Sequence, residues 1–299
     1  MVGISERYME KGLRNGLGKD ITQNGKTLKR LRYILWALGA GLMISAGAVE
    51  TGAQVRSSRL SEKTVTTRSS KSTATKKYKN EAPDMQEIME STLDPHSKYY
   101  YPKLKQKYDR KDTTMTTDEF RHFYLGYMFQ EDFDPYRVSP YASRTDDLRS
   151  KANHTKQEMD TIEKYANLAL EDNPFDLRQM SFLVHVLKEK KKDMRAKIWE
   201  FRLENLLGTI MSTGTGKDVD HPWYVIYPMH EYDVVQLLGY QAVDVDYPRD
   251  GFDYLMVEPD PTDKRARDKS AKGFYFNVER PQQQYELKHP ETEEAVQEQ

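Results

Sequence analysis

The sequence predicts an α+β fold, because apolar residues recur at helical spacing from about Ala82 to Ile210 and alternate in strand fashion after Gly216. Helices and strands in separate runs, rather than in alternation, give an N-terminal helical part followed by a small antiparallel β-rich subregion. The helical part opens with a block from about Ala82 to Phe129. Within it Thr116 and Glu119 form a capping box, each side chain accepting a backbone N–H at the helix start, and Phe120, Phe123, Leu125 and Met128 supply an apolar side. Residues 131–144, EDFDPYRVSPYASR, carry two prolines and several aromatics and predict an ordered loop. A second capping box, Thr155 with Glu158, begins a helix whose Met159, Ile162, Ala166 and Ala169 share a face. Asn173-Pro174 is expected to end that helix and start the next, with Asn173 as N-cap and Pro174 in the first position. Met180, Leu183 and Leu187 line the next helix, and Trp199, Leu203, Leu206 and Ile210 the one after, which Ser212-Thr213-Gly214 stops.

Beyond Gly216 the expected strands are 223–229, 241–247, 252–258 and 273–279, with a short helix at 233–238 closed by Gly239. The Pro248-Arg249-Asp250-Gly251 turn joins the second and third strands into a hairpin. The charged loop 259–271 and the polar tail 281–299 read as mobile. One α+β domain thus spans 81–280, a length of about 200 residues that buries roughly 70% of its unfolded surface.

Two segments precede that domain. Residues 1–54 form an N-terminal extension and a signal segment, with a basic start at Lys26, Lys29, Arg30 and Arg32, an uncharged apolar run from Tyr33 to Val49, and small residues at Ala46-Gly47-Ala48 and Thr51-Gly52-Ala53 for cleavage. The alternative is an uncleaved anchor, since a helix over 33–49 would rise about 26 Å against a hydrocarbon core of about 30 Å. Either way the sequence predicts export across the inner membrane to the periplasm or cell surface, with membrane contact only through 33–49. Residues 55–80 are rich in Ser, Thr, Lys and Arg with almost nothing to bury, so they read as a disordered tether.

Charge divides along the same boundaries. Residues 1–54 hold 8 basic and 4 acidic residues and residues 55–80 hold 8 and 1, which leaves 30 basic and 42 acidic residues, net −12, for 81–299. That sign argues against a nucleic-acid partner, which needs a basic face to neutralise phosphates. The chain has no cysteine, which excludes disulfides, thiolate metal sites, thiol nucleophiles and a lipobox.

The string YYYPKLKQKYDRKDTTMTTDEFRHFYLGYMFQEDFDPY, the later STGTGKDVDHPWYVIYPMHEYDVVQLLGY and the closing GFYFNV resemble an uncharacterised family of exported proteins from Bacteroidetes, domain of unknown function 4919. The likeness covers most of 82–280, and it implies no activity, cofactor or catalytic residue. The long N-terminal extension and tether depart from the usual members. Locally, Ala169, Pro174 and Ala196 also match small-residue and proline positions of a tetratricopeptide hairpin, whereas Val184 and Glu200 break that pattern.

Candidate chemistry is sparse. Gly214-Thr215-Gly216-Lys217 has the end of a phosphate loop, but Met211 stands where its first glycine belongs and Asp218 replaces the magnesium-binding hydroxyl, so it reads as a helix-to-strand turn. Glu119 and His122 make half of a di-iron carboxylate pattern with no second half. His230, Glu231 and Asp233, with His221 before them, place possible metal or acid–base groups near a strand end, and the competing reading is a strand-to-helix cap. No cofactor motif is present. The 20 tyrosines, including Tyr99, Tyr100 and Tyr101, suit either binding surfaces or half-buried sheets. Two functions follow: a non-catalytic module binding an envelope protein or a glycan, and an envelope hydrolase using the His/Glu/Asp group. If the segment is cleaved, N-terminal sequencing of the exported protein reads a start between Val49 and Val55; intact protein retaining 1–48 in the membrane fraction establishes the anchor instead.

Overall fold

The computed structural model describes residues 80–149, 151 and 153–289, so the expectations for 1–54 and for 55–79 lie outside the described residues. The first helix, α1 (Met85–Leu93), is capped by Asp84, whose Oδ1 accepts from Gln86 N and Glu87 N at 3.1 and 3.0 Å. Helix α2 (Tyr101–Asp109) follows, and then α3 (Thr117–Gly126) with the predicted capping box in place. Thr116 Oγ1 accepts from Glu119 N at 3.2 Å, and Glu119 Oε2 accepts from Thr116 N at 2.8 Å. A 3₁₀ turn, Tyr127–Phe129, leads into the aromatic loop, and a second one, Ala142–Thr145, runs into the short α4 (Asp146–Arg149). The Thr155–Glu158 box starts α5 (Lys156–Asp172), after which α6 (Leu177–Glu189) and α7 (Asp193–Met211) complete the helical part.

One cap differs from expectation. Asn173 closes α5 rather than opening α6, and its Oδ1 accepts from Phe175 N at 3.0 Å in a side-chain turn. Asp176 is the true N-cap, its Oδ1 accepting from Gln179 N at 2.9 Å. Asn and Asp both satisfy backbone N–H groups locally, and two such residues three apart leave the sequence unable to say which of them begins the helix.

The second part comprises β1 (Trp223–Tyr224), α8 (Met229–Leu237), β2 (Tyr240–Arg249), β3 (Phe252–Pro259), β4 (Gly273–Asn277) and α9 (Glu279–Lys288). The four strands form one sheet in the order β1-β4-β3-β2, and the architecture is α+β as predicted. The β2–β3 hairpin is present, and its tight end pairs Arg249 with Phe252 around Gly251, whose φ of +75° only glycine adopts without strain. The sheet is mixed rather than purely antiparallel, because Trp223 and Tyr224 run parallel to Phe276 and Asn277.

Strand β1 is also shorter than the expected 223–229, and α8 begins at Met229 instead of Asp233. The run from Trp223 to Met229 is apolar throughout and mostly buried, and a buried apolar run carries no period to separate strand from helix. Pro228, a residue favoured at a helix start, provides the switch. The first part of the expected polar tail is helical, since Asn277 Oδ1 accepts from Glu279 N, and Lys288 Nζ donates to the carbonyls of Gln130, Glu131 and Phe133 at 2.8, 2.8 and 3.0 Å. Loop 259–271 is organised by Asp260, Asp263 and Asp268, each accepting the N–H two residues on.

The core between the helices is a run of aromatic contacts through Tyr101, Phe123, Tyr108, Phe175, Tyr124, Tyr127, Phe133 and Tyr227, with neighbouring ring centroids 4.7–6.1 Å apart. Among the described residues six tyrosines are buried: 101, 108, 124, 127, 227 and 240. Gly126 of α3 faces Thr92 of α1, and a Cβ at Gly126 would lie 2.5 Å from Thr92 Cγ2. Gly126→Ala is therefore expected to destabilise the domain by about 1–3 kcal/mol despite alanine's better helix propensity. Urea unfolding should show a smaller cost for the same change in a Thr92→Ser background, where the clashing methyl is gone; equal costs in both backgrounds would refute the close-approach account.

Candidate functional site

Helix α8 brings His230 and Asp233, three residues apart, against the start of α6. His230 is 2% exposed. Its Nε2 lies 2.9 Å from Phe175 O and its Nδ1 2.7 Å from Tyr124 Oη, while Ile226 N donates to the same Oη at 3.2 Å. A carbonyl only accepts, so Nε2 carries the hydrogen; Nδ1 is then the acceptor of the Tyr124 hydroxyl proton. Every group in this chain, from Ile226 N–H through Tyr124 and His230 to Phe175 C=O, is matched when the imidazole is neutral. Adding a proton at Nδ1 would leave the Tyr124 hydroxyl proton without its acceptor. Burial also disfavours the charged ring and lowers its pKa to about 4, against a weaker raising effect of Asp233. Burial likewise pushes the Tyr124 hydroxyl far above the ordinary tyrosine range.

Asp233 is engaged by Arg178, whose Nε and Nη2 lie 2.9 and 2.7 Å from Asp233 Oδ1. Beside this pair Arg149 Nη2 reaches Asp146 Oδ1 at 3.0 Å. Burial, and then the neighbouring Asp233, raise the Asp176 carboxyl to about 6. Burial and the nearby Arg178 lower the pKa of Arg149. Two guanidiniums and three carboxylates thus share one partly buried junction where α4, α6 and α8 meet. Glu231, on the same turn of α8, is 1% exposed.

The other predicted pair is spent elsewhere. Glu119 Oε1 receives Lys107 Nζ at 2.5 Å and Oε2 closes the capping box; desolvation opposes ionisation, but these two hydrogen bonds together hold the carboxyl below the usual range. His122 Nδ1 lies 2.7 Å from Asp118 O, its Nε2 lies 3.3 Å from Glu87 Oε2, and the Tyr99 ring stacks on it with centroids 3.6 Å apart. The two predicted groups do not converge. Tyr124, the partner of His230, sits two positions after His122, about 200° around α3, so the two histidines belong to opposite sides of that helix. His221 lies in the turn after α7, 2.7 Å from Asp218 Oδ1. Among the described residues no three His, Asp or Glu side chains are grouped to hold a metal ion.

The phosphate-loop likeness resolves into the expected turn. Thr215 N and Gly216 N both donate to His221 O at 3.0 and 2.8 Å, so neither N–H points at an anion, and Gly216 packs its bare Cα against the Trp223 indole. Residues that the sequence did not single out carry more of the geometry. Tyr124, Phe175 and Arg178 hold the α8 groups, and nothing local marks them because their partners lie 106, 55 and 55 residues away.

The sheet has a second face that a period-2 reading could have found. Leu255, Val257, Phe274 and Phe276 are buried and packed into the core, whereas Tyr254, Met256 and Tyr275 alternate with them and stay half-exposed outside it. Tyr254 and Tyr275 are directly paired across β3 and β4, ring centroids 4.5 Å apart, and the Tyr254 ring covers Gly273, where a Cβ would meet it at 2.5 Å. Across the hairpin, Asp246 and Asp244 pair with Tyr254 and Met256, which puts two exposed carboxylates beside the rings on that face.

Residues 86–287 match the family model described as domain of unknown function (DUF4919). The chain belongs to this family. No curated protein and no solved structure matches it significantly. The DUF4919 match runs from the start of α1 to the last turn of α9, and so includes both the buried histidine chain and the outward sheet face.

The neutral, sealed state of His230 has a pH signature. Because the folded ring resists protonation to about pH 4 while the unfolded one titrates near 6.5, its share of stability is complete above 6.5 and is lost as pH falls toward 4, by up to about 3 kcal/mol. Asp176 acts with the opposite sign between its unfolded value and about 6, so the difference between wild type and His230→Gln is the informative quantity. Chemical unfolding should show that difference greatest at pH 7 and shrinking toward pH 4; a constant difference would refute the neutral-imidazole assignment.

Proposed function

We propose that this chain is a non-catalytic binding module of an exported, Bacteroidetes-type cell-envelope protein, and that its partner is an envelope protein or a glycan. The observation that carries the reading is the sealing of His230: the side chain best suited to acid–base chemistry is fully hydrogen-bonded inside the core. General acid–base catalysis needs a group within hydrogen-bond reach of a substrate proton, and here both ring nitrogens face protein atoms. Asp233 and Glu119 are likewise held by Arg178 and Lys107. A binding module needs only a patch of desolvatable anchors, and Tyr254, Tyr275 and Met256 on the outward sheet face supply aromatic area with polar tips.

Export is supported by the basic start, apolar run and small-residue sites of residues 26–54. Among the described residues, no helix is long and apolar enough to cross a membrane. The acidic domain surface speaks against nucleic acid.

The test is sedimentation of the purified chain with insoluble peptidoglycan and with envelope polysaccharide, alongside an assay for released reducing ends and amines. Retention without release is expected, and Tyr254→Ala with Tyr275→Ala should weaken retention about tenfold while the unfolding midpoint moves by only a few degrees. Turnover of either material that disappears in His230→Ala or Glu231→Ala, with thermal unfolding unchanged, would overturn the reading in favour of a hydrolase.

A further inference from the structure

His122 and His230 are both buried, yet their surroundings ask for different protonation states. His230 faces one acceptor and one donor, which a neutral ring satisfies. His122 faces acceptors on both sides. Its Nδ1 lies 2.7 Å from Asp118 O, and a carbonyl only accepts, so Nδ1 carries a hydrogen. A neutral ring with its hydrogen there has a bare lone pair on Nε2. That lone pair would point at the Glu87 carboxylate, whose Oε1 and Oε2 lie 3.4 and 3.3 Å away and likewise only accept. Two acceptors cannot hydrogen-bond, so the contact closes only when one further proton lies between them. Imidazole is intrinsically the more basic partner, and as an imidazolium it donates from both nitrogens, to Asp118 O and to Glu87.

The ring's neighbours suit that charge. Tyr99, from the connection between α1 and α2, stacks on the imidazole with centroids 3.6 Å apart and planes 10° from parallel, which sets a cation on an aromatic face. Lys98 is the opposing cation, with Nζ 4.5 Å over the same Tyr99 ring, and Asp118 and Glu119 attract it in turn. The Glu87 side chain is 54% exposed, so the proton between it and the ring can exchange with solvent. Glu87 lies in the first turn of α1, just before Ile88, which packs into the core. At the other end of α1, Thr92 meets Gly126 of α3. Helix α1 is thus tied to α3 by a polar contact at its start and an apolar one at its end.

We propose that His122 and Glu87 form a proton-operated latch, in which the charged ring fastens the first turn of α1 to α3 and loss of the proton releases that turn. Thr92 and Ile88 keep the rest of the helix in place, so the release is local. The latch opens as the pH rises, the sense opposite to His230, whose hydrogen bonds fail as the pH falls. It does not depend on what the domain binds.

Amide hydrogen exchange, corrected for the intrinsic effect of pH on exchange, tests the latch between about pH 5.5 and about pH 8.5. In wild type the protection of amides 88–91 is expected to fall about two- to fivefold across that range, the scale of a half-exposed ion pair. In Glu87→Gln the protection should stay level, because the amide of glutamine can accept from a charged ring through its oxygen and donate to a neutral one through its nitrogen. Imidazole ¹⁵N shifts at about pH 5.5 should show both nitrogens of His122 protonated, and Nδ1 of His230 bare. A bare Nε2 on His122 at that pH, wild-type protection that is level with pH, or a fall of equal size in Glu87→Gln would overturn the proposal.

Discussion

The imidazole of His230 is the point on which the fold turns. Through its two nitrogens and the Tyr124 hydroxyl it joins α3, the segment after β1 that holds Ile226, α8 itself, and the α5–α6 connection at Phe175. Few side chains can do this, because the site offers one acceptor and one donor on opposite sides of a flat ring, and only a neutral imidazole matches both. Each buried partner left unmatched costs about 1–3 kcal/mol, so the polar chain is worth more for what its loss would expose than for its own bonds. The aromatic rings of Tyr124, Tyr227 and Phe175 around it exclude water, which makes the same hydrogen bonds stronger and the charged ring unfavourable.

Helix α8 is anchored twice on one side, by His230 to Phe175 O and by Asp233 to Arg178, which places both anchors at the start of α6. The second anchor is charged and partly desolvated, and such pairs contribute less to net stability than to fixing which groups meet. Asp176 shows the tension. It must stay near Gln179 N to cap α6, where burial first and the neighbouring Asp233 second disfavour its charge and raise its pKa, against the lowering effect of the cap bond. The arrangement orients α8 so that its Val234 and Val235 complete the core with Leu255, Val257, Phe274 and Phe276 of the sheet.

What the sequence made legible follows from the range of the forces involved. Both capping boxes are local, completed within four residues, and the structure has them as read. The β2–β3 hairpin is equally local, fixed by its turn. Asn173, Pro228 and Glu279 sit where two local preferences compete, and there the boundary is decided by contacts that no short window contains. The same holds for the candidate site. The grouping of His230, Glu231 and Asp233 was visible, but whether it faced solvent or core depended on Tyr124 and Arg178. Among the described residues the tyrosines divide by role in a way composition cannot show, six lining the core and Tyr254 and Tyr275 facing outward.

The outward face is also singled out by how the sheet's edge is treated. Strand β2 is an edge strand, and edge strands offer unpaired N–H and C=O groups to any passing chain. Here that invitation is blunted: Asp244 and Asp246 each accept the N–H of the following residue at 2.9 Å, and the pairing with β3 is broken by irregularities between Ala242 and Asp244 and between Asp246 and Arg249. Strand addition would have to break those local bonds and bring a backbone past two carboxylates. Side-chain contact with the flat of the sheet meets no such obstacle, since Tyr254 lies over Gly273 and turns its ring outward. The same two aspartates that close the edge to a backbone place negative charge beside Tyr254 on the adjoining face, so the rim and the flat of the sheet differ in what they can admit.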